Sequence, residues 1–306
     1  AKALRDLLRG GMLTPRDLQK CAPHLSRPIA PVWLSSPYDV AEISDDIPFD
    51  AVFVLDAGAV TMAEVSTAIR RGRQVVAIGD PVTQTPAPFS IAVTDQPAAT
   101  GAVDEDARHA SSALAQLSEL LPTLSLTRSY RAGGEDLAEL VNRRFYAGRI
   151  DSLPWAGSFL GHPSIAVDYL DDGNGMPDDD TGTIESVDAE VDQAVTRVLE
   201  HATNRPQESL MVITASAKHA ARVQTAVLNA MQSRPDLHDF FLGDRAEPFA
   251  VLTIEQSVAQ SRDRVIFSIG FGRTPHGRVL SEVGALGRPG GDRLLAVAMT
   301  PARRFV

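Results

Sequence analysis

Short apolar runs rich in β-branched residues recur along the chain, and turn-forming residues bound them. Runs of this kind are typical of buried strands. The pattern predicts strands at 31–34, 51–55, 74–78, 165–167, 210–214, 249–254, 264–269 and 294–298. Between several of them, apolar residues recur at spacings of three and four, which is typical of helices with one buried face. This spacing predicts helices at 63–70, 106–120, 136–145, 189–201 and 217–231.

Strands that are apolar from end to end and alternate with helices favour a parallel sheet covered on both faces. The predicted class is therefore α/β. The rhythm breaks at Leu121-Pro122-Thr123, and a loop rich in Gly, Asp and Pro interrupts the second half at 171–183. We therefore predict two lobes, at residues 1–122 and 123–306.

Composition is that of an ordinary globular protein, with 44% hydrophobic and 22% charged residues among 306. Cys21 is the only cysteine, which excludes an internal disulfide and a cysteine-cluster metal site. No apolar run reaches the length of a membrane span, and the first residues, Ala-Lys-Ala-Leu-Arg-Asp, do not form the apolar region of a signal peptide. We therefore expect a cytoplasmic protein without a membrane partner. The chain begins with Ala, which leaves open whether it is a fragment of a longer protein.

The net charge of −10 opposes non-specific attraction to a polyanion. Basic residues cluster only locally, at 70–73, 143–144 and 303–304. These clusters have two interpretations, phosphate contacts or solvated helix ends. Any site for nucleic acid must therefore be local.

Two acidic residues follow predicted strands. Asp56 follows the strand at 51–55, and Gly79-Asp80-Pro81 follows the strand at 74–78. Ligands of parallel α/β folds bind at the carboxyl ends of strands, where an Asp can hold Mg²⁺ through water. Each motif also has a plainer interpretation as a turn or helix cap. Their spacing, with one helix between them, makes the pair more informative than either part.

An arginine in the second half has the chemistry to contact a terminal phosphate. Arg131 follows Tyr130 ahead of the predicted helix at 136–145. Its forked, permanently charged group suits phosphate oxygens. An exposed arginine without a role is the alternative.

In order and spacing, these pieces resemble the motifs of superfamily 1 helicases of the Dna2/Nam7/Upf1-like group, from about Trp33 to Arg304. The family's Asp-Glu-Ala, Gly-Asp-Pro-x-Gln, Tyr-Arg and Phe-Tyr-x-Gly motifs correspond in this chain to Asp56-Ala57-Gly58, Gly79-Asp80-Pro81-Val82-Thr83, Tyr130-Arg131 and Phe145-Tyr146-Ala147-Gly148. The resemblance implies RecA-like lobes of the P-loop NTPase type, the first of them incomplete. It also implies a metal role for Asp56 and nucleotide contacts from Asp80, Gln84 and Arg131.

The chain departs from that family at the positions that carry its chemistry. Ala57 replaces the Glu that polarises the attacking water, and Pro301 replaces the arginine finger. Thr83 replaces the γ-phosphate-sensing Gln, although Gln84 is adjacent, and Ser261 replaces the Glu that holds the ribose. Ala296 replaces an Asn before the finger. The sequence contains no Gly-x-x-x-x-Gly-Lys-Ser/Thr phosphate loop.

Three functions follow as hypotheses. The favoured one is a degenerate helicase-like module without hydrolysis of its own, which binds DNA, RNA or a protein partner. The second is the C-terminal part of an active ATP-dependent helicase, which would use ATP and Mg²⁺ if a phosphate loop lies upstream. The third is a purely structural domain of a larger protein.

Overall fold

The computed structural model describes residues 2–10, 14, 17, 31–43, 47–86, 111–130, 134–153, 160–178, 182–280 and 283–306. Contacts divide the described chain into two compact units, with unit 2 beginning at Leu124. This division falls beside Pro122, where the sequence places a lobe boundary. That the units are RecA-like lobes stays a prediction.

Unit 1 is built on a parallel pair of strands. Its elements are α1 (Lys2–Arg9), β1 (Phe49–Val54), α2 (Met62–Ile69), β2 (Gly72–Ala77) and α3 (Ala113–Leu120). β1 pairs with β2 in parallel, with Val54 opposite Ala77. The crossover helix α2 begins at a capping box: the Thr61 amide donates to Glu64 Oε2 at 2.7 Å, and the Glu64 amide donates to Thr61 Oγ1 at 3.4 Å.

The core of unit 1 lies on one face of this pair. Val54 packs there with Val65 of α2 and Leu117 of α3. Successive side chains of a strand point to opposite faces. Phe53 accordingly points away from this core and is 61% exposed, as is Leu55.

Unit 2 contains a four-stranded parallel sheet. Its elements are β3 (Arg128–Ser129), α4 (Glu135–Phe145), β4 (Asp151–Ser152), α5 (Asp188–Asn204), β5 (Leu210–Thr214), α6 (Ala217–Gln232), α7 (His238–Leu242), β6 (Ala250–Thr253), β7 (Arg262–Ser268), α8 (Asp292–Met299) and β8 (Ala302–Phe305). The sheet order is β6-β5-β7-β8, and every neighbouring pair is parallel.

The central strand β5 is buried on both faces, as the uniformly apolar sequence predicts. Met211 and Ile213 pack into a cluster with residues of α4 and α8. Leu210 and Val212 point the other way, into a cluster with residues of α5 and α6. Helices therefore cover both faces of the sheet, and the predicted α/β class with parallel sheets is confirmed.

Most predicted elements are confirmed, with small shifts at their ends. β1, β2, β5, β6 and β7 match predicted strands, and α2, α4, α5 and α6 match predicted helices. The helix predicted at 106–120 begins at Ala113 in the structure, and residues 106–110 lie outside the described residues.

Three predicted strands are wrong. Residues 31–34 form no strand; Pro31 lacks an amide donor, and Leu34 is 91% exposed. Residues 165–167 form no strand, although the Ala166 amide donates to Val306 O at 3.0 Å. Residues 294–298 belong to the helix α8.

The error at 294–298 has a clear cause, because a short apolar run fits either a buried strand or a buried helix. The alanines of this run favour a helix, and Ala296 and Ala298 are completely buried. The edge strand at this end is instead β8, which contains two arginines and therefore has no apolar run to predict it.

No helix within the described ranges is long and apolar enough to cross a membrane.

Candidate functional site

The candidate site lies where β1 and β2 of unit 1 end. The parallel ladder continues past both strands, because the Ile78 amide donates to Val54 O and the Ala57 amide donates to Ile78 O, each at 2.9 Å. These bonds place the loop that carries Asp56 beside the loop that carries Asp80. The Asp56 and Asp80 loops therefore lie side by side.

Gln84 joins the two loops through its side-chain amide. Its Nε2 donates to Asp56 Oδ1 at 2.7 Å, and its Oε1 accepts from the Asp80 amide at 3.0 Å. The backbone amide of Gln84 also donates to Asp80 O at 3.2 Å. Three of the four residues predicted to bind metal or nucleotide are thus bonded to one another.

The Asp80 carboxylate binds its own turn. Oδ1 accepts from the Val82 amide at 2.9 Å, and Oδ2 accepts from Thr83 Oγ1 at 2.5 Å. An aspartate that accepts from the residue two positions later is the usual Asx turn. Thr83, which stands where the resembling family has its sensing Gln, therefore holds Asp80 in place.

Two glycines allow Gln84 to reach between the loops. A Cβ atom on Gly58 would lie 2.7 Å from Gln84 Cβ, and a Cβ on Gly79 would lie 2.9 Å from Gln84 Oε1. A Cβ on Gly79 would also lie 2.9 Å from the backbone nitrogen of Gly58, which cannot move aside as a side chain can, so both positions favour glycine. The Gly-Asp-Pro exit from β2 is therefore shaped around the Gln84 side chain.

Asp56 itself is exposed and has a φ of 52°, in the left-handed region. Asp tolerates this conformation better than most residues. The turn points the next residue, Ala57, back into the core, where it is 0% exposed. Both backbone groups of Ala57 are bonded, since its carbonyl accepts from the Leu114 amide at 2.9 Å. A methyl group thus fills the core position where the resembling family carries its water-polarising Glu.

The fourth predicted site residue, Arg131, lies outside the described residues. Its neighbour Tyr130 is 74% exposed in unit 2.

The positions that correspond to the arginine finger and the ribose contact lie in unit 2 and have structural partners. Pro301 is buried between α8 and β8, and its carbonyl accepts from the Arg262 amide at 3.1 Å. Ser261 Oγ accepts from Arg303 Nη1 at 3.3 Å. Both positions therefore help to fix the start of β7 against β8.

The basic pair at 303–304 is bound by carboxylates. Arg303 donates from Nη1 and Nη2 to the two carboxylate oxygens of Glu247, each at 2.6 Å. These bonds hold the pKa of Glu247 at about 2 and raise that of Arg303. Arg304 donates to Glu208 at 3.0 Å. Phosphate would have to compete with these carboxylates for both arginines.

Two surface cavities lie away from the Asp56–Gln84 contact. One, of about 430 Å³, is lined by Pro206, Asp236 and Phe240 of unit 2. The other, of about 340 Å³, is lined by Ile47, Thr67 and Arg71 of unit 1. Across the described part of the chain, no group of three or more His, Cys, Asp or Glu side chains could hold a metal ion.

A second polar cluster, around His219 in unit 2, has no sequence signal. Its members come from three separate elements, and no motif or spacing marks them. Only the fold brings them together.

The chain matches no protein-family model and no curated protein sequence. Its function is therefore inferred from the residues and contacts described above.

Proposed function

We propose that the chain is a helicase-derived module that binds a partner without hydrolysing nucleotide, and that its two units derive from RecA-like lobes. The parallel order β6-β5-β7-β8 with helices on both faces supports this origin. So does the parallel pair β1–β2, which ends in two acidic loops. The partner is a nucleic acid or a protein.

One observation supports the proposed absence of hydrolysis: Ala57, next to Asp56, is buried. Hydrolysis needs a side chain that orients or deprotonates the attacking water. Ala57 supplies only a methyl group, and that group packs in the core with Val54 and Val65. Loss of the arginine finger, where Pro301 stands, costs such enzymes about 10³ to 10⁵ in turnover.

The Gln84 contacts support the same proposal. The carboxylate predicted to hold Mg²⁺ accepts a hydrogen bond from Gln84, whose own carbonyl is occupied by the Asp80 amide. A ligand bound through Asp56 Oδ1 or the Asp80 amide would compete with these bonds. The two strand ends are thus joined by side-chain contacts of their own.

The proposal is tested by phosphate release from ATP and by calorimetric titration with ATP and Mg²⁺. We expect no turnover from the wild-type chain. Turnover that disappears in Asp56→Ala but persists in Asp50→Ala, a change of an exposed acid on β1, would overturn the proposal. The same pattern in a longer form with an upstream phosphate loop would favour the working-helicase alternative.

A further inference from the structure

A buried histidine bridges two elements of unit 2. His219 lies in the first turn of α6 and is 0% exposed. Its Nδ1 lies 2.8 Å from Ser186 Oγ, just before α5, and its Nε2 lies 2.7 Å from Ser268 Oγ, at the end of β7. One ring therefore connects three segments that are distant in the sequence.

Glu190 determines which ring nitrogen carries the proton. Ser268 Oγ donates to Glu190 Oε1 at 2.6 Å, and the Gly270 amide donates to the same oxygen at 2.8 Å. A serine hydroxyl has one proton, so Ser268 must accept its second bond from an Nε2–H of His219. Nδ1 then carries no proton and accepts from the Ser186 hydroxyl. Every member of this network is satisfied when His219 is neutral.

A second proton would place a positive charge on a ring that is completely buried. It would bind at Nδ1, and the Ser186 hydroxyl would then have to turn its proton away from the ring and accept from Nδ1–H instead of donating. Ser186 has little freedom to adjust: its φ is 61°, and its amide donates to Gly270 O at 2.6 Å. Gly270 is equally constrained, because a Cβ there would lie 2.7 Å from the His219 ring.

Some charged groups around the ring lower the pKa of His219 and others raise it. Arg222, on the same helix, bonds to the Ser186 carbonyl and to Asp188. Glu190 Oε1 lies 3.8 Å from Nε2, and Glu185 also acts on the ring. The end of β7 contributes Ser268 and the Gly270 amide, which are uncharged. Burial lowers the pKa of His219 from its ordinary value, and Arg222 adds to this effect, while Glu190 and Glu185 oppose it.

We propose that His219 is a pH-sensitive latch, which in its neutral form fastens the segment before α5 to the end of β7 and which releases that segment when it gains a second proton. This inference goes beyond the proposed function and does not depend on it. The latch sits between the carboxyl ends of β5 and β7. In the order β6-β5-β7-β8, the strand connections diverge at this point, which is where parallel α/β folds bind ligands.

The direction of the pH effect follows from proton linkage. Because the pKa of His219 is lower in the closed latch than in an open or unfolded chain, the open form binds the proton more tightly. The closed form has its full stability above about pH 6.5, the ordinary histidine value. That stability is lost as the pH falls below this value towards the folded pKa.

Amide hydrogen exchange of the full chain tests the latch. Between pH 7.5 and 5.0, after correction for the chemical exchange rate, we expect protection of the Ser186 and Gly270 amides to fall by about tenfold. In His219→Gln, protection should be low at both pH values. His238→Gln, a change of an exposed histidine at the start of α7, should retain the wild-type pH dependence.

Nitrogen NMR of the imidazole ring tests the wild-type chain directly, even if His219→Gln does not fold. We expect the Nε2–H form at pH 7.5 and a ring titration that coincides with the loss of protection. Protection that does not change with pH would overturn the proposal. So would an Nδ1–H ring at pH 7.5, or a pH-dependent loss that persists unchanged in His219→Gln.

Discussion

At the scale of single residues, the Gln84 side chain links the ends of β1 and β2 in unit 1 through hydrogen bonds to both loops. In Gln84→Ala, Asp56 Oδ1 and the Asp80 amide lose a partner. We expect the free energy of unfolding, measured in urea, to fall by about 1–2 kcal/mol, since each lost bond costs about 0.5–1.5 kcal/mol. Gln116→Ala removes an exposed side chain with one long bond, at 3.4 Å, and should cost under about 0.5 kcal/mol. Equal losses in the two variants would contradict the assignment.

Ala57 carries a second prediction at this scale. Ala57→Glu restores the residue of the resembling family but places a carboxyl group where a 0% exposed methyl now packs. We expect a loss of about 2–4 kcal/mol in unfolding free energy and no gain in ATP turnover. Ala63→Glu, at an exposed position in the first turn of α2, serves as the control and should cost less than about 0.5 kcal/mol. Turnover in Ala57→Glu would show that one substitution suffices to restore the chemistry.

At the scale of elements, the two faces of β1 differ in burial. Val54 is 7% exposed and packs in the unit 1 core, whereas Phe53 is 61% exposed. Val54→Ala should lower the unfolding free energy by about 1–3 kcal/mol, because it leaves a cavity. Phe53→Ala should lower it by about 0.5 kcal/mol or less. A larger loss in Phe53→Ala, measured by the same urea titration, would show that this face is covered in solution.

The amino ends of the unit 2 strands carry an element-scale prediction about pH. Arg303 of β8 binds Glu247 before β6, Asp263 of β7 and Ser209 before β5. It therefore ties all four strands together. Arg303→Met should cost about 1–2 kcal/mol at pH 7, a figure reduced for partial exposure to solvent.

This cost should depend on pH in a defined direction. The folded pKa of Glu247, about 2, lies below its ordinary value of 4.5. The stabilisation is therefore present above pH 4.5 and is lost as the pH falls towards 2. The difference between wild type and Arg303→Met should shrink over this interval. Arg234→Met breaks an exposed pair with Asp236 and serves as the control, which should cost much less than Arg303→Met at pH 7. A difference that stays constant down to pH 2 would exclude Glu247 as the responsible partner.

The sequence predicts elements well where an apolar pattern has one clear period and poorly where an apolar run is short or a strand is polar. β5 is predicted to the residue, because both of its faces are apolar. α8 is misassigned as a strand, since its buried residues, Leu294 and 296–298, satisfy either period over so short a run. β8 is not predicted, because Arg303 and Arg304 are held by carboxylates rather than by an apolar core.

The proximity of the two acidic loops follows from the strand pattern, but the bonds between them do not. A strand that ends in Asp56 and a neighbour that ends in Asp80 imply a shared edge. The contact of Gln84 with both loops depends on side-chain direction and on close approach at Gly58 and Gly79, which spacing does not encode. The His219 cluster is hidden for a related reason. Ser186, Glu190 and Ser268 become neighbours only when α5, α6 and β7 pack together.

At the scale of the whole molecule, charge bears on the choice between nucleic acid and protein as a partner. The net charge is −10, and Arg264, Arg303 and Arg304 are paired with carboxylates in the structure. Non-specific binding of nucleic acid depends on free basic groups. Proteins that bind nucleic acid in this way have dissociation constants of about 10⁻⁴ to 10⁻⁶ M at physiological salt. We expect the full chain to bind labelled single-stranded DNA or RNA more weakly than this range, as measured by fluorescence anisotropy at 50 and 200 mM salt. Arg303→Met should leave the result unchanged, because its guanidinium is already held by Glu247. Tight binding that falls steeply with salt would instead identify a local basic site and favour nucleic acid over protein as the partner.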